Sequence, residues 1–350
     1  MHASDRVFRV ALTGDFHRPD GTPLYRDFGL SVLQAQSGIQ YRAFEKHLLE
    51  IDPAQIGDAQ AVIVLGPRVT ARSISRAENL LAIGRFGVGY DSVDVEACTA
   101  ADVALITAVG GVDRSVAEAT LAWMLALTHH VRMKDRLVRE GRWTERTNFM
   151  GRELRDRTLG VVGMGGIGRA LVELLAGFGM NAPLVFDPFL DVQVAQKMGV
   201  RLVDLDELMA QADFVSVHCP LNDQTRNLIG ARELALMKPE AYLLNTARGG
   251  IVNEDALFEV LKDARIAGAA LDCFVGEPLT APHRFGQLDN VILAPHSIAW
   301  TDEMFRDIGR TICRAVVDLA LGRRPRGVVN APVLEREGFQ QKWSRLRLDG

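Results

Sequence analysis

Apolar residues along this chain fall in short continuous runs, separated by longer stretches in which they recur every three or four positions. That rhythm predicts buried strands alternating with amphipathic helices, and so parallel sheet covered on both faces. In the first part, strands are expected at residues 7–12, 61–65, 80–86 and 104–107, with helical stretches between them, including 41–49. A long helix is expected next, with Ser115 as its cap and Glu118 three residues on as in a capping box, carrying Leu121, Met124, Leu125 and Thr128 at helical spacing. His129 and His130 fall on the same helix without the i, i+4 spacing of a metal pair, so they read as ordinary helix residues.

From Thr158 the alternation resumes, with strands at 158–162, 184–186, 214–218, 241–246, 267–271 and 291–293, and helices such as 167–178 and 254–262 between them. A last amphipathic helix runs from just after Trp300 to about Leu321, ahead of a short tail. No internal repeat, low-complexity segment or Pro/Gly/Ser-rich linker interrupts the chain, so long helices near 115 and 300 are expected to make the crossings between domains.

A length of 350 residues suggests two domains. With 48% hydrophobic and 24% charged residues, the chain has ample core for a soluble globular protein. The net charge of −4 offers no attraction to nucleic acid or an anionic membrane. The densest basic patch, Arg323, Arg324 and Arg326, is too short to be more than a solvated turn. Cys98, Cys219, Cys273 and Cys313 lie far apart, with no CxxC and no metal-ligand spacing, so no metal site is expected. Residues 1–6 lack the apolar stretch of a signal peptide, and no apolar run approaches the ~20 residues of a membrane span. The expectation is a reduced, cytoplasmic protein.

The segment from Gly160 contains G-x-G-x-x-G at Gly163, Gly165 and Gly168. Alone the pattern is weak; its place after an apolar strand and at a helix start, with Asp187 at the end of the next strand, makes it a dinucleotide fingerprint. Gly163 would permit the tight turn, Gly165 would let backbone approach the pyrophosphate, and Gly168 would allow close helix–strand packing. Free N–H groups at the helix start, around Gly166 and Ile167, would hold the phosphates. The Asp187 carboxylate would accept from the adenosine ribose hydroxyls and repel a 2′-phosphate. No Arg or Lys occurs in Pro188-Phe189-Leu190-Asp191 to offset that, so NAD is favoured over NADP.

Three further motifs place polar residues where strands end, which is where open parallel sheets bind ligands. They are Asn245-Thr246-Ala247-Arg248-Gly249-Gly250, Asp272-Cys273-Phe274-Val275-Gly276-Glu277-Pro278 and Ala294-Pro295-His296-Ser297. An arginine can grip a carboxylate with two parallel bonds, and a histidine can pass a proton near neutral pH. A glutamate beside that histidine would favour the imidazolium and fix which nitrogen carries the proton. The three together, beside a nicotinamide site, fit reversible oxidation of a 2-hydroxy acid.

These segments, with Phe86-Gly87-Val88-Gly89-Tyr90-Asp91, Ser115-Val116-Ala117-Glu118, Val217-His218-Cys219-Pro220-Leu221, Thr225-Arg226 and Lys238-Pro239, run in order over roughly residues 60–300. They resemble the D-isomer-specific 2-hydroxyacid dehydrogenase family, which includes phosphoglycerate dehydrogenases and glyoxylate/hydroxypyruvate reductases. The resemblance implies an α/β protein of two Rossmann-like lobes. An NAD-binding doubly wound parallel sheet would span 115–298, and a flavodoxin-like substrate lobe would be built from 1–114 and 299–350, with the site in the cleft. It implies Arg248, Glu277 and His296 as the catalytic set, and cofactor contacts at Cys219, Thr225, Thr246, Ala247 and Asp272. It also implies substrate contacts at Val88 and Gly89, whose backbone would hold the carboxylate, and a homodimer joined through the cofactor lobe.

Two stretches depart from the family pattern. Ala108-Val109-Gly110-Gly111-Val112-Asp113 stands where Pro and Asn are frequent, and Ser297-Ile298-Ala299 leads into Trp300 where small residues are common. Trp300 either fills the hinge or shapes the substrate pocket. The stretch after about 330 is too short for the regulatory domain of some phosphoglycerate dehydrogenases. The expected function is therefore NAD-dependent hydride transfer at C2 of a small 2-hydroxy or 2-keto acid. Formate dehydrogenases of this fold carry Gln at the position matching Glu277. An NAD-sensing corepressor-like binding protein and a dehydrogenase of a longer sugar acid stay open as alternatives.

Overall fold

The computed structural model describes residues 6–348; residues 1–5, read above as lacking a signal sequence, lie outside them. The chain divides into two compact units, one of residues up to Val112 together with those from Trp300 onward, the other of Asp113–Ala299.

The first unit holds five parallel strands: β1 (Phe8–Leu12), β2 (Ile39–Ala43), β3 (Ala61–Val64), β4 (Ala82–Arg85) and β5 (Ala104–Thr107). Their order is β2-β1-β3-β4-β5, the flavodoxin-like arrangement. Every residue of β3 and β5 is buried, which explains their unbroken apolar runs. The helix expected at 41–49 is not formed. Tyr41 sits instead in edge strand β2, paired with Val10 of β1, and Leu49 is 83% exposed, so the three-to-four spacing there buries no face.

The tail also differs from expectation, because it folds back and packs. The helix Asp302–Ala320, capped by the Thr301 side chain on Met304 N–H at 3.0 Å, is followed by the helix Glu337–Leu346. Between them Val328 pairs antiparallel with Ile106, covering the outer edge of β5. Buried Asn330 ties this return: its Oδ1 accepts from Leu105 N–H at 2.9 Å, and its Nδ2 donates to Val103 O at 3.0 Å and Thr99 Oγ1 at 2.9 Å. Asn330→Leu strands the Leu105 N–H and the Val103 carbonyl in the interior. It is expected to cost about 3 kcal/mol, read as a lower urea midpoint.

The second unit holds seven parallel strands: β6 (Leu159–Val162), β7 (Leu184–Phe186), β8 (Arg201–Leu202), β9 (Phe214–Val217), β10 (Tyr242–Asn245), β11 (Gly268–Leu271) and β12 (Val291–Leu293). The order β12-β11-β10-β9-β6-β7-β8 is that of a dinucleotide-binding sheet, reversing direction between β6 and β9. One apolar cluster covers each face: Leu208, Leu234, Leu257 and Phe285 belong to one, Trp123, Met124, Leu171 and Leu244 to the other.

The helix expected from Ser115 begins two residues earlier, at Asp113, where an acidic side chain suits the first turn. Ser115 therefore lies inside that turn, and Glu118 accepts from Arg114 Nε at 3.2 Å rather than closing a capping box. His129 and His130 do not continue the helix, which ends at Thr128. His130 takes a left-handed φ of 51° and starts a second helix, Val131–Arg139. No helix among the described residues is long and apolar enough to cross a membrane.

Candidate active site

The glycine loop leaves β6 beside the point where the sheet order reverses. Gly163 has φ +95°, and a Cβ there would stand 2.7 Å from Cys219 N, so both backbone conformation and crowding exclude a side chain. At Gly168 a Cβ would meet Gly163 O at 2.8 Å and Val161 Cγ1 at 3.1 Å, which sets how closely the helix Gly166–Leu175 lies on β6. At Gly165, by contrast, a Cβ would meet nothing within 4 Å, and no side chain caps the helix that Gly165 starts. The N–H groups of its first turn, Gly166 and Ile167 included, therefore carry no side-chain cap, with clear space at Gly165 and the Asp113 carboxylate beside Gly166. Asp187, just past β7, braces this loop: Oδ2 accepts from Met164 N–H at 2.8 Å and Oδ1 from Phe189 N–H at 2.9 Å.

The loop after β9 closes against Gly163. Burial pushes the Cys219 thiol up to about 11, so it is protonated at neutral pH. Farther along, the Thr225 hydroxyl donates to Pro220 O at 2.6 Å and accepts from Asn222 N–H at 2.8 Å, which fixes the turn. Beneath it His218 is half-buried, its Nδ1 shut off from solvent and its Nε2 2.8 Å from Ser216 Oγ, and burial of the ring lowers its pKa from 6.5 to about 4. The unfolded chain thus binds a proton that the native one refuses between those pH values. Native stability should fall as pH drops from 6.5 toward 4, by up to about 3 kcal/mol from this group. Urea unfolding of His218→Gln at pH 7 and pH 4.5 is expected to show most of that acid sensitivity removed.

The three later motifs meet at the ends of β10, β11 and β12. Asn245 is buried; its Nδ2 donates to Arg248 O at 2.9 Å and its Oδ1 accepts from Ala247 N–H at 3.1 Å, folding the arginine loop over the strand end. Thr246 Oγ1 lies 3.4 Å from Thr120 Oγ1. A Cβ on Gly249 would stand 2.1 Å from the Phe274 carbonyl carbon, so the arginine loop and the Glu277 turn touch backbone to backbone. Asp272 accepts from Ser297 N–H at 2.8 Å and Ile298 N–H at 3.2 Å; burial nonetheless raises its carboxyl above the ordinary value.

Those amides fix the turn that carries His296, which holds a left-handed φ of 53°. A non-glycine residue there costs about 1 kcal/mol and is a mark of functional sites. His296 Nδ1 lies 2.6 Å from Glu277 Oε2, and Glu277 Oε1 accepts from Phe274 N–H. Burial would raise the Glu277 carboxyl, but the His296 and Phe274 hydrogen bonds, with the charges of His296 and Arg248, hold it below its ordinary value. An ionised carboxylate only accepts, so Nδ1 carries the proton and Nε2 is left for another partner. Arg248 Nη1 donates to Ala247 O at 2.7 Å, and its charge is felt at both Glu277 and Cys273. The arrangement can hold an anion beside an imidazole that exchanges a proton.

Residues 121–297 match the family profile described as D-isomer specific 2-hydroxyacid dehydrogenase, NAD binding domain. The chain is 40% identical over 282 residues to D-3-phosphoglycerate dehydrogenase of Archaeoglobus fulgidus, covering 80% of this chain and 53% of that one. The chain belongs to the D-isomer-specific 2-hydroxyacid dehydrogenase family. A second relative, D-3-phosphoglycerate dehydrogenase of Methanocaldococcus jannaschii, is 38% identical over 319 residues, covering 90% of this chain and 59% of that one. The chain thus spans little more than half the length of these curated relatives. Among solved structures, the 2-hydroxyacid dehydrogenase of Ketogulonicigenium vulgare matches with a TM-score of 0.75 at 27% identity, over 92% of this chain and 98% of that one.

Gly163, Gly165, Gly166, Ile167, Gly168, Asp187 and Cys219 gather around one loop, and Ala247, Arg248, Asp272, Glu277 and His296 around the neighbouring strand ends. Thr225 stands apart in its own turn. Val88, Gly89 and Trp300 belong to the other unit. There Val88 and Gly89 follow β4, after Gly87 with its φ of 146°, and Trp300 packs edge-on to Phe305 at 5.3 Å. Sequence pattern assigns no role to Asn245, Asp113 or Glu254. Asn245 had a signal, a polar residue ending a buried strand. Asp113, whose carboxylate would overlap a Cβ on Gly166, had none, because only the folded helix start brings it to the glycine loop.

Proposed function

We propose that the protein is an NAD-dependent D-2-hydroxyacid dehydrogenase that transfers hydride between nicotinamide and C2 of a small 2-hydroxy or 2-keto acid. The observation that carries this reading is the 2.6 Å Glu277–His296 pair with the Arg248 charge on the same carboxylate, in the unit that also holds the glycine loop. The open space at Gly165 and the uncapped helix start fit a dinucleotide pyrophosphate. The Asp187 carboxylate keeps acceptor capacity for ribose hydroxyls and opposes a 2′-phosphate, which favours NAD over NADP.

Bound reduced nicotinamide supplies the hydride. Arg248 grips the substrate carboxylate and polarises its neighbouring carbonyl. Protonated His296 gives the Nε2 proton to the carbonyl oxygen, while Glu277 holds Nδ1–H and stabilises the imidazolium. In the oxidative direction the same nitrogen takes the proton back. The roles expected of Val88, Gly89 and Trp300 toward substrate, and of Thr225, Thr246 and Ala247 toward cofactor, belong to this proposal. So does a second copy of the chain as partner, supported by exposed Val131, Val138, Trp143 and Met150 along one stretch of the cofactor unit. A cytoplasmic setting accords with four unpaired cysteines.

The test is loss of reduced-nicotinamide absorbance with glyoxylate, hydroxypyruvate and its phosphate, pyruvate, phenylpyruvate and sugar-derived keto acids, each with NADH and NADPH. Turnover preferring NADH supports the reading. Binding of NADH with no turnover on any acid overturns it.

A further inference from the structure

Behind the Glu277–His296 pair, the same unit holds a second carboxylate–histidine pair. Glu254 opens the helix Glu254–Lys262; its Oε1 accepts from Val275 N–H at 2.7 Å, and its Oε2 lies 3.5 Å from His283 Nε2. Both side chains are largely buried, at 16% and 19% exposure. The His283 ring is wedged between Phe274 and Phe285, with centroids at 5.0 and 5.1 Å.

Consecutive amides of one turn are therefore taken by two carboxylates. Phe274 N–H goes to Glu277, which reaches on to His296, and Val275 N–H goes to Glu254. Packing holds the far side of this turn only weakly, since Val275 is 59% exposed and a Cβ on Gly276 would meet nothing within 4 Å. Glu254, by contrast, is anchored at a helix start fixed by the Asn253 side chain on Ala256 N–H at 3.0 Å. A hydrogen bond from an amide to an ionised carboxylate is among the stronger kinds, and its loss removes the tie between this exposed turn and the fixed helix start.

We propose that Glu254, braced by His283, is a positioning residue that holds the 274–277 turn so that the Glu277 carboxylate stays within hydrogen-bond reach of His296. The inference rests on the reading of Glu277 and His296 given above. Loosening the turn lets Glu277 retreat from Nδ1, and a misplacement of about 1 Å near a reacting centre costs up to ~10²-fold in rate.

The experiment compares wild type, Glu254→Ala, Glu254→Gln and His283→Ala. It measures kcat and KM for the best keto acid, NADH affinity, and the low-field proton resonance of His296 Nδ1–H, assigned by its loss in His296→Ala. Glu254→Ala should lower kcat by roughly 10- to 100-fold, with KM and NADH affinity within about three-fold, and should shift the resonance upfield or remove it. Glu254→Gln, whose amide oxygen can still accept from Val275, should return kcat to within about three-fold of wild type and restore the resonance. His283→Ala should move both readouts in the direction of Glu254→Ala, which keeps the test alive if the alanine variant at 254 does not fold. An unmoved resonance and kcat in the folded variants, or a loss that Gln fails to recover, overturns the proposal. Wild type inactive on every acid would sink the dehydrogenase reading instead, and the resonance would still decide the positioning.

Discussion

His296→Ala is expected to lower kcat for keto-acid reduction by about 10³-fold or more, while NADH affinity stays within about two-fold. The expectation follows from where the ring nitrogens point. Nδ1 is committed to Glu277 at 2.6 Å, so Nε2 is the only ring donor left for a substrate oxygen. Alanine removes that donor but touches neither the glycine loop nor Asp187, which brace each other through Met164 N–H. Glu277→Gln should fall between wild type and His296→Ala. It keeps the shape of the turn, but it withdraws the negative charge that stabilises the imidazolium. The Glu277 carboxyl is held below its ordinary value, so this charge is present at neutral pH and is lost only as pH falls through that lowered value. Stopped-flow reduction with each variant at saturating NADH measures the effect. A His296→Ala enzyme within ten-fold of wild type would remove the histidine from the chemistry.

The second large effect is structural and reaches the cofactor. Gly163→Val should abolish measurable NADH binding and destabilise the cofactor unit by roughly 4 kcal/mol or more, the sum of left-handed strain and overpacking. At φ +95° a β-branched residue is strained in any surroundings, and here its Cβ would stand 2.7 Å from Cys219 N and 2.9 Å from Cys219 Cα. The clash is with backbone, which cannot rotate away as a side chain would. Either the glycine loop or the loop after β9 must then shift, and both flank the helix start. Calorimetric titration with NADH, alongside thermal melting, reads both consequences. Gly165→Ala is the contrasting variant: its Cβ meets nothing in the protein, so stability should change little while NADH binding weakens.

Much of this architecture is legible along the chain, for identifiable reasons. Strands such as β7 and β12 carry short apolar runs, set between Pro183 and Asp187 and between Asn290 and Ala294-Pro295, and the helix Glu254–Lys262 has a clear apolar face, so their limits match the pattern closely. The glycine loop is legible because Gly163 and Gly168 are crowded by different neighbours, while Gly165 leaves open space at the helix start. Where pattern fails, the deciding interaction lies elsewhere in the sequence. Edge strand β2 is mostly exposed and takes its identity from pairing with β1, which outweighs a helix-like spacing over 41–49. The break after Thr128 depends on a left-handed His130 that no periodicity marks. The return of the tail depends on Asn330 reaching residues more than two hundred positions away.

The same distinction holds at the candidate site. Arg248, Glu277 and His296 stand out because each is a polar residue at the end of a buried strand. Glu254 and His283 look like ordinary surface-helix and loop residues until the fold sets one against the Val275 amide and the other between two phenylalanines. Asp187 shows a further limit: its residue type fits a ribose, while the structure shows it already accepting two backbone amides that shape the loop.

The most direct test of the central claim is to follow the atom that moves. The protein would be incubated with NADH carrying deuterium at both C4 positions of the nicotinamide and the keto acid it turns over best, and the product examined by mass spectrometry and chiral chromatography. The expected product is a D-2-hydroxy acid carrying one deuterium at C2, formed in step with NADH oxidation. An L product, or a product without deuterium at C2, would contradict the claim.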